Sequence, residues 1–287
     1  MARFNGNSDE MNNKDKPTKD SGNGGDGRNK VHLLRRPQSW EILVDSPANL
    51  NALSTGLAQQ ISDALTKIEK ELKDEKSRSE RRCVFLTAKT NAQGGRPIWI
   101  AGGDLKELAN FDKNDARSYL KQLTNLCLQI AQLPLPVVGF LNGDAIGGGA
   151  EFFSWCDLRI MSADASILYK QSAIGLAPGY GGTVRLVDLV GLSTAQKWLF
   201  LGKRIHADDC LKSGFSHEVV PVSQPKEEIF QRFEDALSEA SPEGMALQKR
   251  QFYKSIDLQS IEAHQEAFLE NWKCESHRNY LSNFFSS

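Results

Sequence analysis

The stretch Val137-Val138-Gly139-Phe140-Leu141-Asn142-Gly143-Asp144-Ala145-Ile146-Gly147-Gly148-Gly149-Ala150-Glu151 joins an apolar run, a turn and three consecutive glycines that lead to a carboxylate. The run reads as a buried strand, and the glycines remove side chains where the backbone must come close to something. An earlier stretch has the same build: Pro97-Ile98-Trp99-Ile100 runs into Ala101-Gly102-Gly103-Asp104. Two main-chain N–H groups converging on one oxygen make an oxyanion hole, and a helix start adds positive potential there. Such donors are worth a few kcal/mol each where a carbonyl becomes an enolate or a tetrahedral oxyanion. Glu151 falls one turn into the helix, beside the polarised carbonyl. A nucleotide-phosphate cradle is the weaker reading. Gly147-Gly148-Gly149 does not fit G-x-G-x-x-G, and no glycine cluster is followed by Lys-Ser or Lys-Thr.

Composition points the same way. A chain of 287 residues with 40% apolar residues holds one large domain plus an appendage. A formal net charge of -1 argues against a nucleic-acid surface, and no apolar stretch is long enough to span a bilayer. Cys83, Cys127, Cys156, Cys210 and Cys274 are odd in number and contain no C-x-x-C, so the expectation is buried thiols in a reducing compartment. His32, His206, His217, His264 and His277 are as scattered, with no H-E-x-x-H, and no metal is expected. Residues 1–30 carry hardly any large apolar side chain and are expected to be a disordered tail. The tail lacks the apolar core of a secretory signal and carries several acids, which favours a cytoplasmic location.

Strand, helix and strand patterns alternate outward from the glycines, and the fold class read from them is α/β. Trp40–Val44 reads as a strand. Ser54 reads as an N-cap of a helix with Leu57, Ile61, Leu65, Ile68 and Leu72 on one face. Cys83–Thr87 is a second buried strand that leads through a Gly/Asn loop to the first glycine cluster. A helix spans Leu120, Leu123, Cys127 and Ile130, and Leu158–Met161 is a strand after a short helix through Phe152 and Phe153. Pro178-Gly179-Tyr180-Gly181-Gly182-Thr183 opens another helix, Ser193 caps a further one, and Ser241-Pro242 starts one more. Beyond Val220 the pattern is helical and ends in Tyr280-Leu281-Ser282-Asn283-Phe284-Phe285, read as core contacts or as the cover for a partner subunit.

The order of these motifs resembles the crotonase, or enoyl-CoA hydratase/isomerase, superfamily. Asn51-Ala52-Leu53, Ala101–Leu105, Asn142–Glu151, Cys156-Asp157-Leu158-Arg159-Ile160 and Pro178–Leu186 carry the resemblance, which covers residues 31 to 287. It implies a crotonase-like spiral of ββα units over 31–222 with a C-terminal helical section, 223–287, for oligomerisation or as a lid. It implies an acyl-CoA thioester substrate, no cofactor beyond the coenzyme A of that substrate, and a homotrimer or dimer of trimers. Carried over by position, the oxyanion donors are the N–H groups of Gly103 and Gly148. Glu151 is the acid/base, and Asn51, Ala52, Leu53, Ala101, Asp104 and Leu105 lie along the CoA side.

One departure stands out. Hydratases of this family carry a second glutamate twenty residues after the first, where this chain has Gln171. An amide orients water by hydrogen bonding but does not exchange a proton near pH 7. Losing a general acid or base costs about a hundredfold to ten-thousandfold in rate. Three readings follow: a hydratase-like enzyme with Glu151 alone and Gln171 positioning water; isomerisation, decarboxylation or thioester hydrolysis through the same enolate; or a CoA-binding scaffold with little catalysis. Among the other residues, Asp104 is expected to cap the following helix, Tyr169 and Lys170 to form a surface strand end, and Cys156 and Asp157 to pack under the triple glycine. Arg185 is expected to be an ion-pair partner. Lys249, Arg250, Lys273 and Arg278 become candidates for CoA phosphates if the C-terminal helices fold over the site.

Overall fold

A computed structural model of the chain describes residues 30–90, 95–254 and 256–286. The expected tail, apart from Lys30, and the centre of the Gly/Asn loop lie outside these residues. β1 (Lys30–Arg35) and β2 (Ser39–Asp45) form an antiparallel pair at one edge of a six-stranded sheet. Next to them α1 (Thr55–Glu71) begins where the Ser54 side chain accepts the Leu57 N–H. Leu57, Ile61, Leu65, Ile68 and Leu72 are all buried, as their spacing predicts, and each contributes roughly 2 kcal/mol of apolar burial. The charged α2 (Glu75–Glu80) buries nothing.

The chain then repeats one unit three times. β3 (Cys83–Ala88), β5 (Val137–Leu141) and β7 (Leu158–Ser162) lie parallel in the large sheet, in the order β1-β2-β3-β5-β7-β10, with β10 (Glu218–Val220) at the far edge. The strand that follows each of them crosses to a second sheet. These are β4 (Ile98–Ile100), β6 (Asp144–Ile146) and β8 (Ser166–Leu168), closed by β9 (Ile205–His206) in the order β4-β6-β8-β9. A helix returns from each crossing: the short α3 (Leu105–Leu108) with α4 (Lys113–Gln132), then α5 (Gly148–Ser154), then α6 (Gly182–Leu201). This is a spiral of ββα turns, the architecture the resemblance implies. The glycine loops of the three turns come together, the first two where Gly102 approaches Gly148 and the third through the Gly179 and Tyr180 N–H groups that donate to Glu151.

The helical remainder comprises α7 (Ala207–Lys212), α8 (Lys226–Leu237), α9 (Pro242–Phe252), α10 (Leu258–Glu270) and α11 (Glu275–Ser286). Ser241 caps α9 as expected, accepting the Gly244 N–H. The break inside α6 is not at Ser193 but at Gly191, whose φ of 74° and ψ of 159° fall in a region that only glycine adopts readily. In the terminal aromatic stretch Leu281 is buried, while Phe284 and Phe285 are about half exposed.

Several single-residue expectations are corrected by packing. Tyr169 is no surface strand end: it is fully buried behind β8. Asp157 does not support the triple glycine; its carboxylate accepts the Val137 N–H and pairs with Lys249 at 2.6 Å. Arg185 makes no ion pair among the described residues and donates to the Ser154 carbonyl and the Tyr253 hydroxyl. Lys249 is buried, holding the Ile130 and Leu135 carbonyls, and so cannot meet a phosphate in the glycine-lined cavity.

Candidate active site

The two glycine loops meet backbone to backbone. A Cβ on Gly102 would stand 2.8 Å from the Ile146 carbonyl oxygen and 3.1 Å from the Gly148 nitrogen, a contact that no side chain permits. The first loop is held by Leu53, whose N–H donates to the Gly102 carbonyl and whose carbonyl accepts the Asp104 N–H. These bonds on either side of Gly103 turn its own N–H away from Leu53. In the second loop Gly147 takes φ 55° and donates to Leu168, while its carbonyl accepts from Ala150 and Glu151. That leaves the Gly148 N–H as one of the orphan donors of a helix start. Among the described residues nothing takes up the N–H of Gly103 or of Gly148.

Both glycines line a cavity of about 100 Å³, together with Ala101, Leu105, Leu108, Tyr119, Glu151, Gln171 and Tyr180. Larger clefts elsewhere on the surface hold no glycine loop. Glu151 is 1% exposed. Its Oε1 accepts from Gln171 Nε2 at 2.8 Å and Gly179 N at 3.3 Å, and its Oε2 from Tyr180 N at 2.9 Å. The Gly182 N–H, at the start of α6, donates as well. A side chain at Gly182 would collide with the Glu151 carboxylate, so glycine there is a condition of this docking. Burial pushes the Glu151 carboxyl up to about 7, against the donors Tyr180, Gln171, Gly179 and Gly182, which favour the anion.

Gln171 is buried at the turn before Gly175, one amide hydrogen committed to Glu151. Its carbonyl oxygen has no partner among the described residues. The far wall comes from the C-terminal section: Phe268 of α10, and His277 and Tyr280 of α11. The Lys170 ammonium lies 5.5 Å over the Tyr280 ring, joining the β8 end to that wall.

Gly103, Gly148, Glu151, Gln171, Ala101 and Leu105 are thus brought together around one space. Asn51, Ala52, Leu53 and Asp104 are not among its lining residues. Asn51 is fully buried and spends its side chain on the backbone of Ser46, Lys89 and Trp99. Asp104 caps α3 through the N–H groups of Lys106 and Glu107. Tyr119, whose hydroxyl donates to Leu53 at 2.7 Å and lies 3.4 Å from that of Tyr180, went unnoticed in sequence reasoning. It lies one helical turn before Leu123 on the apolar face of α4, which was the available signal. His277 carries no such signal, since only the folding of α11 across the cavity brings it there.

The profile of the enoyl-CoA hydratase/isomerase family matches residues 40–277. The chain belongs to that family. It is 28% identical over 259 residues to a short-chain-enoyl-CoA hydratase of Clostridium acetobutylicum, with 89% of this chain and 94% of that protein covered. It is 30% identical over 252 residues to a mitochondrial enoyl-CoA hydratase of Pongo abelii, with 81% of each covered. The crystal structure of an enoyl-CoA hydratase from Bacillus halodurans superposes with a TM-score of 0.78 at 22% identity, covering 88% of this chain and 99% of that one, which supports the fold. Among the described residues of this enoyl-CoA hydratase/isomerase member, no helix is long and apolar enough to cross a membrane.

Proposed function

We propose that this family member binds an acyl-CoA thioester with its carbonyl oxygen on the Gly103 and Gly148 N–H groups, and that Glu151 moves the proton at C2. The observation that carries the reading is a pair of uncommitted donors on the same cavity as a buried carboxyl poised near neutral pH. In the hydration direction the Gln171 carbonyl oxygen holds the water. Glu151 takes a proton from that water as the C3–O bond forms, the enolate collects on the two glycines, and the same proton passes to C2. One carboxyl then serves in turn as base and acid.

A second reading, double-bond isomerisation, is favoured by the single proton-carrying group: Glu151 would remove a proton at one carbon of the enolate system and return it at another. The half-exposed Phe284 and Phe285, with Phe200 at 74% exposure, support a trimer-based assembly, for which light scattering on the full chain is the check. The reaction is tested by incubating the purified protein with a panel of enoyl-CoA and saturated acyl-CoA thioesters and following products by mass spectrometry. A mass gain of one water on a trans-2-enoyl-CoA supports hydration, and an unchanged mass with altered retention supports isomerisation. No turnover of any member would refute both.

A further inference from the structure

A second cavity, of about 470 Å³, opens at the other end of α5. Its polar wall holds Arg159, Arg185, Lys249, His217, Gln248 and Tyr253 with Asp157 as the single carboxylate; Lys249 pairs with Asp157, which leaves the guanidinium groups of Arg159 and Arg185 with no carboxylate partner among the described residues. Arg159 is only 2% exposed. Its Nε donates to the Phe215 carbonyl and its Nη1 to the Cys156 carbonyl. Arg185 donates through Nε to Ser154 and through Nη2 to Tyr253. Nothing among the described residues takes the remaining Nη2 of Arg159 or Nη1 of Arg185. His217 adds no charge: its Nδ1 accepts the backbone N–H of Arg159, and burial pushes the ring down to about 4.

The rest of the wall is apolar: Pro136, Leu158, Leu189, Leu237, Met245 and Phe252. Phe252 is 74% exposed, at the mouth. Guanidinium groups with spare hydrogens, that of Arg159 buried and that of Arg185 half-buried, match a carboxylate, and charge held away from water is costly until an anion meets it. The volume lies within the range of small-molecule sites.

We propose that this cavity is a binding site for an anionic amphiphile, a carboxylate with a medium-length alkyl tail, whose head sits on Arg159 and Arg185 and whose tail runs along Leu189, Leu237 and Met245 toward Phe252. The site is separate from the glycine-lined cavity and does not depend on the reaction carried out there.

The test is isothermal titration calorimetry of the full-length protein with decanoate, with butyryl-CoA present in saturating amount to fill the glycine-lined cavity. Decanoate is expected to bind, more weakly as salt rises. Inorganic phosphate and decanol, each offering half of the chemistry, are expected to bind at least about tenfold more weakly. Gln248→Glu, on the exposed rim of the cavity, supplies a carboxylate of its own and should weaken decanoate at least about tenfold, while Gln248→Ala should not. Leu189→Trp, which fills the tail channel, should abolish binding with the fold intact by circular dichroism. The proposal is overturned if decanoate gives no heat up to millimolar concentration, if Gln248→Glu binds it as the parent does, or if phosphate alone binds as tightly.

Discussion

Asp144 and Glu151 are both 1% exposed and stand seven residues apart, at the two ends of one strand-to-helix turn, yet their surroundings are opposite in kind. Asp144 meets permanent charge. Arg96 Nε lies 2.7 Å away, Arg204 Nη1 is in contact, and the Ser166 hydroxyl donates at 2.6 Å. Burial alone would raise its pKa, but the Arg96 and Ser166 hydrogen bonds and the Arg204 charge outweigh that, and the carboxyl titrates below its ordinary value. Glu151 meets only N–H dipoles, which do not offset burial, and it rises to about 7. The comparison teaches how one fold keeps one acid fixed as an anion and leaves another free to exchange a proton. The Asp144 network ties β6 to β8 and to the loop before β9; the Glu151 shell leaves a titratable group on a cavity.

The largest effect expected from breaking this contrast is on turnover. Glu151→Gln keeps the size and part of the hydrogen bonding but cannot carry a proton, so kcat should fall by about a hundredfold to ten-thousandfold. Circular dichroism should remain that of the parent. Gly148→Pro removes one oxyanion donor and should cost at least about a hundredfold in kcat, read in the same assay.

Asp144→Ala acts on the other side of the comparison. It strands Arg96 and Arg204 and should cost about 2–3 kcal/mol, at the low end for a broken buried pair because both guanidinium groups are partly exposed. A urea titration should show a lower midpoint with an unchanged slope. The same residue should support stability at neutral pH and lose that support on acidification through its lowered folded pKa, below the ordinary carboxylate range.

For Glu151 the sign is reversed. Between about pH 4.5 and 7 the folded chain holds a proton that the unfolded chain has released, so the contribution of this group to stability falls as pH rises through that window. Activity follows the base form. The rate should drop about tenfold per unit below pH 7 and level off above it. The smallest effect on the pH dependence belongs to Gln171→Leu, which in the hydration reading also removes the oxygen that holds the water. Removing one donor that favours the anion should move the acidic limb of the pH–rate profile upward, and a profile that stays in place would show that the Gln171 bond does not bear on Glu151.

Much of the site was legible in the chain itself. The glycine clusters carried local signals, since a residue lacking Cβ marks a close backbone approach, and Gly102, Gly148 and Gly182 each prove to be such places. The α1 stripe from Leu57 to Leu72 and the caps at Ser54, Asp104 and Ser241 were equally local. What stayed hidden depends on distant packing. That Asn51 is spent on the Lys89 and Trp99 carbonyls, that Tyr169 is buried, and that His277 and Tyr280 wall the cavity follow from contacts across many tens of residues. The conflict between Glu151 and four N–H donors was hidden for the same reason, because Gly179, Tyr180 and Gly182 arrive from the third turn of the spiral.

The central claim, that Glu151 moves a proton at C2 of a thioester held on the two glycine N–H groups, is tested most directly by hydrogen exchange, which does not depend on the overall reaction. Saturated butyryl-CoA would be incubated with the protein in D2O and deuterium at C2 followed by NMR. The account predicts incorporation by the parent chain, with a rate rising through pH 7, and none above the uncatalysed rate for Glu151→Gln. Equal incorporation by the parent and by Glu151→Gln would contradict it.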